Sequence, residues 1–276
     1  MTGQPLLAGV FGWPIGHSRS PRLHGHWLRR YGIDGHYIPL GLPPGAFAEG
    51  LSAVRTLGFR GVNVTIPHKE AALALATEAS PLATEIGAAN TLTFRADGSI
   101  HADNTDGYGF IANLRQRAPA WTAAAGPALV LGAGGSARAV VAALLAEGAP
   151  EVRVAGRTRP RAEALRAHFG PRIVVLDWQE AAAAAAGSAT IVNATPLGMA
   201  GSGDLPLPLD AVPATAVVTD LVYGGEPTPF VAEARRLGLV AVDGIGMLLH
   251  QGAPGFERWF GVRPEVDDDL LAAVLA

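Results

Sequence analysis

Apolar residues follow two alternating patterns in the amino-terminal part of the chain. Short continuous runs are typical of buried strands, and the stretches between them carry apolar residues at helical spacing. Strands that alternate with helices favour an α/β fold with a largely parallel sheet. The predicted elements are strands 6–11, 36–40 and 62–65 and helices 21–31, 46–57 and 67–75.

The pattern changes in the next segment. Two apolar stretches, 89–94 and 99–102, flank Ala96-Asp97-Gly98, which is a typical hairpin turn. A predicted helix over 107–117 and a proline-containing loop over 119–127 then form the expected domain boundary.

Beyond this boundary, apolar runs alternate with helical patterns again, which predicts a second, doubly wound domain of Rossmann type. We expect the last helices, roughly 245–260 and 267–276, to pack back on the first domain. The predicted strands of the second domain are 128–131, 151–155, 173–176, 190–193, 217–220 and 239–242.

The most informative motif is a strand that runs directly into a glycine turn and an alanine-rich helix, over 129–138. Gly132 allows the tight turn, Gly134 lets the backbone approach a pyrophosphate, and Ala137 stands where helix and strand pack closely. Ordinary strand-to-helix turns also favour glycine. Because strand 151–155 follows at the distance expected of one βαβ unit, the motif predicts a dinucleotide site at the start of this helix.

The residues after that second strand indicate which dinucleotide is bound. The chain reads Gly-Arg-Thr-Arg-Pro-Arg over 156–161, with no acid to hold a free ribose 2′-hydroxyl. Arginines suit a 2′-phosphate, which favours NADP over NAD. The alternative is a solvated loop. We favour phosphate binding for Arg157 and a solvated position for Arg159.

Composition narrows the class of protein. A chain of 276 residues with 49% hydrophobic and 16% charged residues is long enough for two globular domains. A net charge of −3 gives no reason to expect nucleic acid or an anionic membrane as partner. The absence of cysteine excludes disulfides, thiolate zinc sites and cysteine nucleophiles. With no leader pattern or long apolar run, we expect a soluble cytoplasmic protein that acts on a small molecule.

Lys69 breaks a local rule. It falls in the first turn of the predicted helix 67–75, with Pro67 as the expected first helical residue. A cation there opposes the helix dipole. Most lysines are solvated surface charges, but this one lies beside a strand end, where ligands of open α/β sheets bind. We therefore interpret Lys69 as functional.

Two further polar segments are candidates. Asp106 is either a helix cap or a functional acid, and a metal site with Asp103 is disfavoured because no further ligand cluster lies nearby. Near the amino terminus, Ser20 and Pro21 form a typical cap and first turn, whereas Ser18 has no capping duty. Together with the amides of the helix start, Ser18 and Ser20 could hold a substrate carboxylate.

Taken together, these motifs resemble the shikimate dehydrogenase family from about residue 6 to the end of the chain. The individual motifs are of uneven strength, but their order along the chain is specific. They are residues 12–21, 63–69, 86–91, 104–107, the glycine loop, 193–199, 220–223 and 247–253.

The resemblance implies reversible NADPH-dependent reduction of 3-dehydroshikimate to shikimate, with Lys69 and Asp106 as the catalytic pair and no metal. It implies a substrate domain, 1–118 completed by 245–276, that faces an NADP-binding domain, 119–244, across a cleft. The implied substrate-binding residues are Ser18, Ser20, Thr65, Asn90, Tyr223 and Gln251. The implied cofactor-binding residues are Gly132, Ala133, Gly134, Gly135, Ser136, Ala137, Arg157, Thr158, Arg161, Thr195 and Gly244.

Two departures and several alternatives accompany this interpretation. Gly156 stands where the family usually has an asparagine before the arginine, here Arg157. Gly225 stands where the family usually has a proline after the Asp-Leu-Val-Tyr run, 220–223. Asn90 could instead stabilise a turn, Tyr223 could be a core aromatic, and Gln251 could be a helix surface residue. The alternative functions are a quinate or NAD-dependent dehydrogenase and a non-catalytic NADP- or shikimate-binding regulator. Either a monomer or a homodimer is expected.

Overall fold

A computed structural model describes residues 4–199 and 201–276, so positions 1–3 and 200 of the expected domains lie outside it. The chain forms two compact units. The first contains the residues up to Thr105 and Leu248–Ala276, and the second contains Asp106–Met247.

The elements of the two units follow one another in the order expected of α/β architecture. Up to Thr105 they are β1 (Leu6–Gly12), α1 (Ser20–Arg30), β2 (Gly35–Gly41), α2 (Phe47–Thr56), β3 (Phe59–Val64), α3 (Lys69–Ala74), β4 (Glu78–Ala79), α4 (Pro81–Ile86), β5 (Thr91–Phe94) and β6 (Ile100–Asp103). From Asp106 they are α5 (Asp106–Arg117), β7 (Ala128–Leu131), α6 (Gly135–Ala146), β8 (Val152–Ala155), α7 (Arg159–Phe169), β9 (Ile173–Leu176), α8 (Ala181–Ala186), β10 (Thr190–Asn193), β11 (Val217–Asp220), α9 (Pro229–Arg236), β12 (Val240–Val242), α10 (Ile245–Phe260) and α11 (Asp268–Leu275).

The sheet of the first unit is mixed, with the strand order β2-β1-β3-β5-β6-β4. β1 pairs in parallel with β2 and β3, whereas β5 is antiparallel to both β3 and β6. The predicted hairpin is confirmed: it joins β5 to β6 through a turn in which Gly98 adopts a φ of +84°. An L side chain would be strained at this φ, which explains the glycine.

The doubly wound prediction for the second unit is confirmed. All six strands of its sheet are parallel in the order β12-β11-β10-β7-β8-β9, so the chain leaves β7 towards β8 on one side and later returns to β10 on the other. Val130 faces one hydrophobic core and Leu129 and Leu131 face the other, as expected of a strand buried on both sides. The glycine loop after β7 therefore lies at the topological switch point, where dinucleotides bind in this fold.

The division between the units differs from the expected domain boundaries at 118/119 and 244/245. α5 belongs to the second unit because its residues Phe110 and Leu114 share a core with Val140 of α6. Gly107 favours this close packing, since a β-carbon there would lie 3.2 Å from the Ala139 carbonyl oxygen.

The segment 76–88 contains structure that the sequence reading missed, namely β4 and α4. Ser80 caps α4 by accepting a hydrogen bond from the backbone N–H of Ala83 at 3.0 Å, Pro81 begins the helix, and Gly87 ends it at a φ of +73°. A cap, a first-turn proline and a terminal glycine are all sequence signals, so α4 could have been found.

Candidate active site

Lys69 is the first residue of α3, at the carboxyl end of β3. The sequence placed Pro67 in this helix, which was wrong: Ile66–Pro67 is a cis peptide in the turn before it. The start of the helix is set by His68, whose ring stacks on Phe47 at 4.7 Å and whose Nε2 lies 2.8 Å from the Leu42 carbonyl oxygen. Contacts between distant segments, rather than proline chemistry, therefore position Lys69.

Lys69 is also the only lysine in the whole sequence; every other cationic side chain is an arginine. Arginine stays protonated at all ordinary pH values, whereas a lysine ammonium can give up its proton. A single lysine at a strand end is therefore a further sequence signal for proton transfer, one that the sequence reading did not use.

The serines at the start of α1 differ from the roles expected of them, because the N-cap residue is Arg19 and its side chain forms no capping hydrogen bond. Ser20 is the first helical residue rather than the cap. The Ser18 hydroxyl accepts a hydrogen bond from the Ser20 backbone N–H at 3.3 Å. A turn in which the Ser18 N–H donates to the Ile15 carbonyl brings this hydroxyl to the helix end. Contrary to the expectation from the sequence, Ser18 thus has a structural contact.

Tyr37 connects α1 to the centre of the sheet. Its hydroxyl donates to Asn63 Oδ1 at 2.7 Å and also has a hydrogen-bonding contact with Ser20. Burial raises the pKa of Tyr37 well above its usual value, so the phenol stays neutral and can donate. The neighbouring His24 ring stacks on Tyr37 at 3.8 Å, and complete burial lowers the pKa of His24 to about 3.

Buried amide and hydroxyl groups meet near the ends of β3 and β5. We call Asn63, Asn90, Thr91, Thr105 and Gln251 the amide–hydroxyl cluster. Asn63 Nδ2 donates to Thr91 Oγ1 at 3.2 Å, which donates to Asn90 Oδ1 at 2.9 Å. Asn90 Nδ2 donates to Thr105 Oγ1 at 3.1 Å and to Gln251 Oε1 at 3.2 Å. The structure thus joins two predicted substrate-binding residues, Asn90 and Gln251, which are distant in sequence.

Thr65 begins the turn that precedes Lys69, and its carbonyl oxygen accepts from the His68 N–H at 3.0 Å. A β-carbon at Gly12 would lie only 2.6 Å from Thr65 Cγ2, so glycine allows the end of β1 to approach this residue.

The sequence analysis assigned no role to Tyr37, Asn63 or Thr105. Of these, Asn63 carried a signal, because it is a polar residue between two valines of the strand.

Asp103 anchors the segment that leads to Asp106. Its carboxylate accepts hydrogen bonds from Ser80 Oγ at 2.6 Å and from the Asn104 N–H at 2.8 Å, and it pairs with Arg258. Burial by itself raises the pKa of Asp103, but the Ser80 and Arg258 contacts together hold it below its usual value. Asp106 is buried at the first position of α5.

The glycine loop of the second unit fits a bound phosphate group. A β-carbon added at Gly134 or Gly135 would lie more than 4 Å from the described atoms around it, and neither residue has a positive φ. Packing and backbone strain therefore do not demand glycine at these two positions, and the open space beside them leaves room for a ligand to approach the backbone. Among the described residues, no side chain caps α6 and its first turn holds no acid, which leaves its amides available to an anion.

The other loop positions have internal roles. Gly132 has a φ of +107°, and a β-carbon there would meet the Ala194 carbonyl oxygen at 2.9 Å. Ala137 is completely buried, as the packing of α6 on the sheet requires. Ala133 and Ser136 lie beside them at the start of the helix.

The arginines after β8 divide into two groups. Arg159 pairs with Asp177 at 2.6 Å and with Glu163 at 3.3 Å, which agrees with a surface position. Arg157 and Arg161 are exposed, and neither forms an ion pair in the part of the chain that the structure describes. Together with Thr158, they remain the predicted 2′-phosphate contacts.

A second polar group lies at the ends of β10 and β11. Asp220 is completely buried and accepts from Asn193 Nδ2 at 2.9 Å, from the Val222 N–H at 2.9 Å and from Thr228 Oγ1 at 2.7 Å. Burial raises the pKa of Asp220 to about 6, although these hydrogen bonds oppose the shift. Asn193 Oδ1 in turn accepts from the Thr195 N–H and Oγ1, so this group positions the predicted cofactor residue Thr195.

Gly244 and Tyr223 lie close to Asp220 and its polar partners. A β-carbon at Gly244 would clash with the Leu221 carbonyl oxygen, so packing alone demands glycine there. Tyr223 follows Asp220 in the loop after β11.

The described residues contain neither a metal-binding cluster nor a helix that could span a membrane. Within 4–199 and 201–276, no group of three or more His, Asp or Glu side chains could hold a metal ion. In the same residues, no helix is both long enough and apolar enough to cross a bilayer.

The parallel sheet with its phosphate-compatible glycine loop makes the second unit a Rossmann-type dinucleotide-binding fold, joined to an α/β unit with a buried polar cluster. Three family models match the chain: the shikimate dehydrogenase substrate binding domain over residues 10–92, shikimate / quinate 5-dehydrogenase over 116–197, and the shikimate 5'-dehydrogenase C-terminal domain over 244–269.

The similarity to individual proteins extends over nearly the full length. The NADP(+) shikimate dehydrogenase of Paracoccus denitrificans is 63% identical over 98% of this chain and 96% of its own. The Thermus thermophilus shikimate 5-dehydrogenase, solved with NADP(H) and shikimate, is 39% identical over 98% of both chains, with a TM-score of 0.86. The Corynebacterium glutamicum quinate dehydrogenase, solved with NAD, is 29% identical over 99% of both chains, with a TM-score of 0.91. The chain belongs to the shikimate dehydrogenase family.

Proposed function

We propose that this protein is an NADP-dependent shikimate dehydrogenase, an oxidoreductase that reversibly reduces the 3-keto group of 3-dehydroshikimate to the hydroxyl of shikimate. The observation that carries the proposal is the 63% identity to an NADP(+) shikimate dehydrogenase over nearly the whole of both chains. The reaction would supply a precursor of the aromatic amino acids.

The substrate offers a carboxylate and several hydroxyls. We assign its binding to the hydroxyls of Ser18, Ser20, Thr65 and Tyr223 and to the amides of Asn90 and Gln251. Hydroxyls and amides both donate and accept hydrogen bonds, so they match a polyhydroxylated ring. Ser18 and Ser20 at the start of α1 suit the carboxylate, because the helix end adds backbone N–H groups and the positive end of a dipole.

Reduction of a ketone requires a proton for the oxygen on which negative charge develops. We assign this donation to Lys69, whose ammonium is the only lysine group in the sequence. Asp106 accepts a hydrogen bond from the substrate hydroxyl region and keeps the reacting oxygen oriented. In the oxidative direction the same lysine, once neutral, takes the proton back.

The second unit would hold NADP(H), which supplies the hydride when it is bound. Residues 132–137 and the amides at the start of α6 receive the pyrophosphate, while Arg157, Thr158 and Arg161 receive the 2′-phosphate. Thr195 and Gly244 would border the cofactor from the loops that follow β10 and β12.

The experiment that tests the proposal is a spectrophotometric assay of NADPH oxidation with 3-dehydroshikimate, repeated with dehydroquinate and with NADH. We expect the highest kcat/KM for 3-dehydroshikimate with NADPH. Binding of both ligands without turnover would make the protein a regulator instead, and the retention of both Lys69 and Asp106 counts against that outcome.

A second candidate is a quinate dehydrogenase that uses NAD. It is supported by the similarity to the Corynebacterium quinate dehydrogenase, whose structure contains NAD. It is also supported by Gly156, which stands before Arg157 where the family usually has an asparagine. Higher kcat/KM for dehydroquinate with NADH in the same assay would favour this candidate over the first.

A further inference from the structure

We propose that Thr105 is a positioning residue for substrate: its hydroxyl holds the Asn90 amide and the backbone of Gln251 in the arrangement that receives the substrate. The inference rests on the proposed function, because that proposal assigns substrate binding to Asn90 and Gln251. Thr105 is buried and directly precedes Asp106.

The orientation of both amides follows from unambiguous partners. Asn90 Oδ1 accepts from the Thr105 backbone N–H at 2.8 Å, and a backbone N–H can only donate. Gln251 Nε2 donates to the Leu248 carbonyl oxygen at 3.1 Å, and a carbonyl can only accept. The Nδ2 end of Asn90 must therefore face the Oε1 end of Gln251.

The Thr105 hydroxyl has one proton, and its shortest contact to an acceptor is 2.9 Å to the Gln251 carbonyl oxygen. Its lone pairs then face Asn90 Nδ2 at 3.1 Å. A single hydroxyl thus links Asn90, which directly precedes β5, to the segment after β6 and to the distant helix α10.

Both N–H groups of the Asn90 amide are used inside the cluster, by Thr105 Oγ1 and by Gln251 Oε1. A substrate oxygen can receive a hydrogen bond from Asn90 only by replacing one of them. The Gln251 Oε1 contact is the longer, at 3.2 Å, and is a single hydrogen bond to Asn90, whereas Thr105 also donates its backbone N–H to Asn90 Oδ1 and its hydroxyl to the Gln251 carbonyl oxygen. Substrate therefore replaces Gln251 Oε1, while Thr105 retains the other N–H and keeps the amide aimed.

The test uses two substitutions at position 105 and one elsewhere. Thr105→Val removes the hydroxyl at nearly constant volume, and Thr105→Ser retains it. Thr190→Val is the matched control, since it removes a buried hydroxyl in the second unit that accepts a hydrogen bond from Trp121 Nε1 at 2.9 Å. For each variant, Tm, kcat and KM are measured, together with the Kd of shikimate by calorimetry.

We expect Thr105→Val to raise KM and the shikimate Kd about tenfold, equivalent to 1.4 kcal/mol, with a smaller change in kcat. Thr105→Ser should restore both constants. Thr190→Val should lower Tm but leave KM and Kd unchanged. If Thr105→Val does not fold, Thr105→Ala carries the same expectation, since it also lacks the hydroxyl.

A double-mutant cycle distinguishes positioning from a general loss of structure. If Thr105 acts through Asn90, then Thr105→Val adds little to the KM of Asn90→Ala. Wild-type KM and Kd in Thr105→Val, with a Tm loss like that of Thr190→Val, would overturn the inference while leaving the proposed function intact. A wild-type enzyme that fails to reduce 3-dehydroshikimate would instead refute the proposed function itself.

Discussion

At the scale of single residues, the proposed chemistry depends most on Lys69. We expect Lys69→Ala to lower kcat by ~10²–10⁴ with a much smaller change in KM, because proton transfer acts chiefly in the transition state. Lys69→Arg keeps the positive charge but cannot release a proton, so it should be nearly as slow. Steady-state kinetics of both variants decide the matter. A variant with near-normal kcat and weak substrate binding would contradict the proton-transfer role.

The absence of other lysines gives an independent check on this residue. Reductive methylation modifies amines, and in this chain it can reach only Lys69 and the α-amine. We expect bound shikimate to protect Lys69, as followed by mass spectrometry of the peptide that contains it. Equal modification with and without shikimate would argue against contact between Lys69 and substrate.

Ser18 combines a local structural contact with the proposed carboxylate site. Ser18→Ala should raise KM by the equivalent of ~1.5–3 kcal/mol, typical of a hydrogen bond to a charged group. Because the Ser18 hydroxyl also accepts from the Ser20 N–H, we expect a small fall in Tm as well. The control is Thr122→Ala, which loses a comparable contact of 3.4 Å to the Ala124 N–H in the second unit. A fall in Tm without a change in KM would make Ser18 purely structural.

Arg157 tests the cofactor assignment. Arg157→Ala should weaken NADPH binding by ~1.5–3 kcal/mol and NADH binding far less, so the preference for NADPH falls roughly 10- to 150-fold. Arg159→Ala is the control, because Arg159 is already paired with Asp177 and Glu163. Comparing kcat/KM for the two cofactors in each variant decides the question. Equal losses for NADPH and NADH in Arg157→Ala would mean that Arg157 does not read the phosphate.

At the scale of elements, buried carboxylates hold the segments that follow the strands, and Asp220 gives one of them a pH dependence. Its pKa is raised on folding from 3.8 to about 6, so the folded state binds this proton more tightly than the unfolded state. The resulting stabilisation is complete below pH 3.8 and is lost as pH rises through about 6.

We therefore expect Asp220→Asn to gain stability relative to wild type by ~2 kcal/mol as pH rises from about 4 to about 6, measured by urea unfolding. Asp103→Asn should show the opposite slope. Its pKa is lowered in the folded state, so its ionisation stabilises above the ordinary pKa and this contribution is lost as pH falls. A difference between Asp220→Asn and wild type that does not vary with pH would contradict the assignment.

Helix ends show where local sequence is sufficient and where it is not. Ser80, Pro81 and Gly87 define α4 by capping chemistry alone. The start of α3 could not be read in this way, because it depends on the contacts of His68 with Phe47 and Leu42. Pro67 fits a first helical turn, but these contacts override its preference.

At the scale of the whole molecule, two sheets carry the two halves of the proposed chemistry. The parallel sheet was predictable because its strands are short, largely apolar segments that alternate with helical patterns. The assignment of α5 to the second unit was not predictable. The apolar face of a helix shows that the helix packs against a neighbour, but it does not show which neighbour. Phe110 and Leu114 find that neighbour in α6.

The sequence by itself determined the order of the strands and helices other than β4 and α4, the hairpin at Gly98, the glycine loop and the position of a single lysine at a strand end. These follow from hydrophobic periodicity and turn chemistry, which act over a few neighbouring residues. Only the tertiary structure decided the partners of the buried polar groups, such as the contact of Thr105 with Gln251 across 146 positions of sequence. Such a contact depends on how α10 returns to the first sheet, and local spacing carries no information about that path.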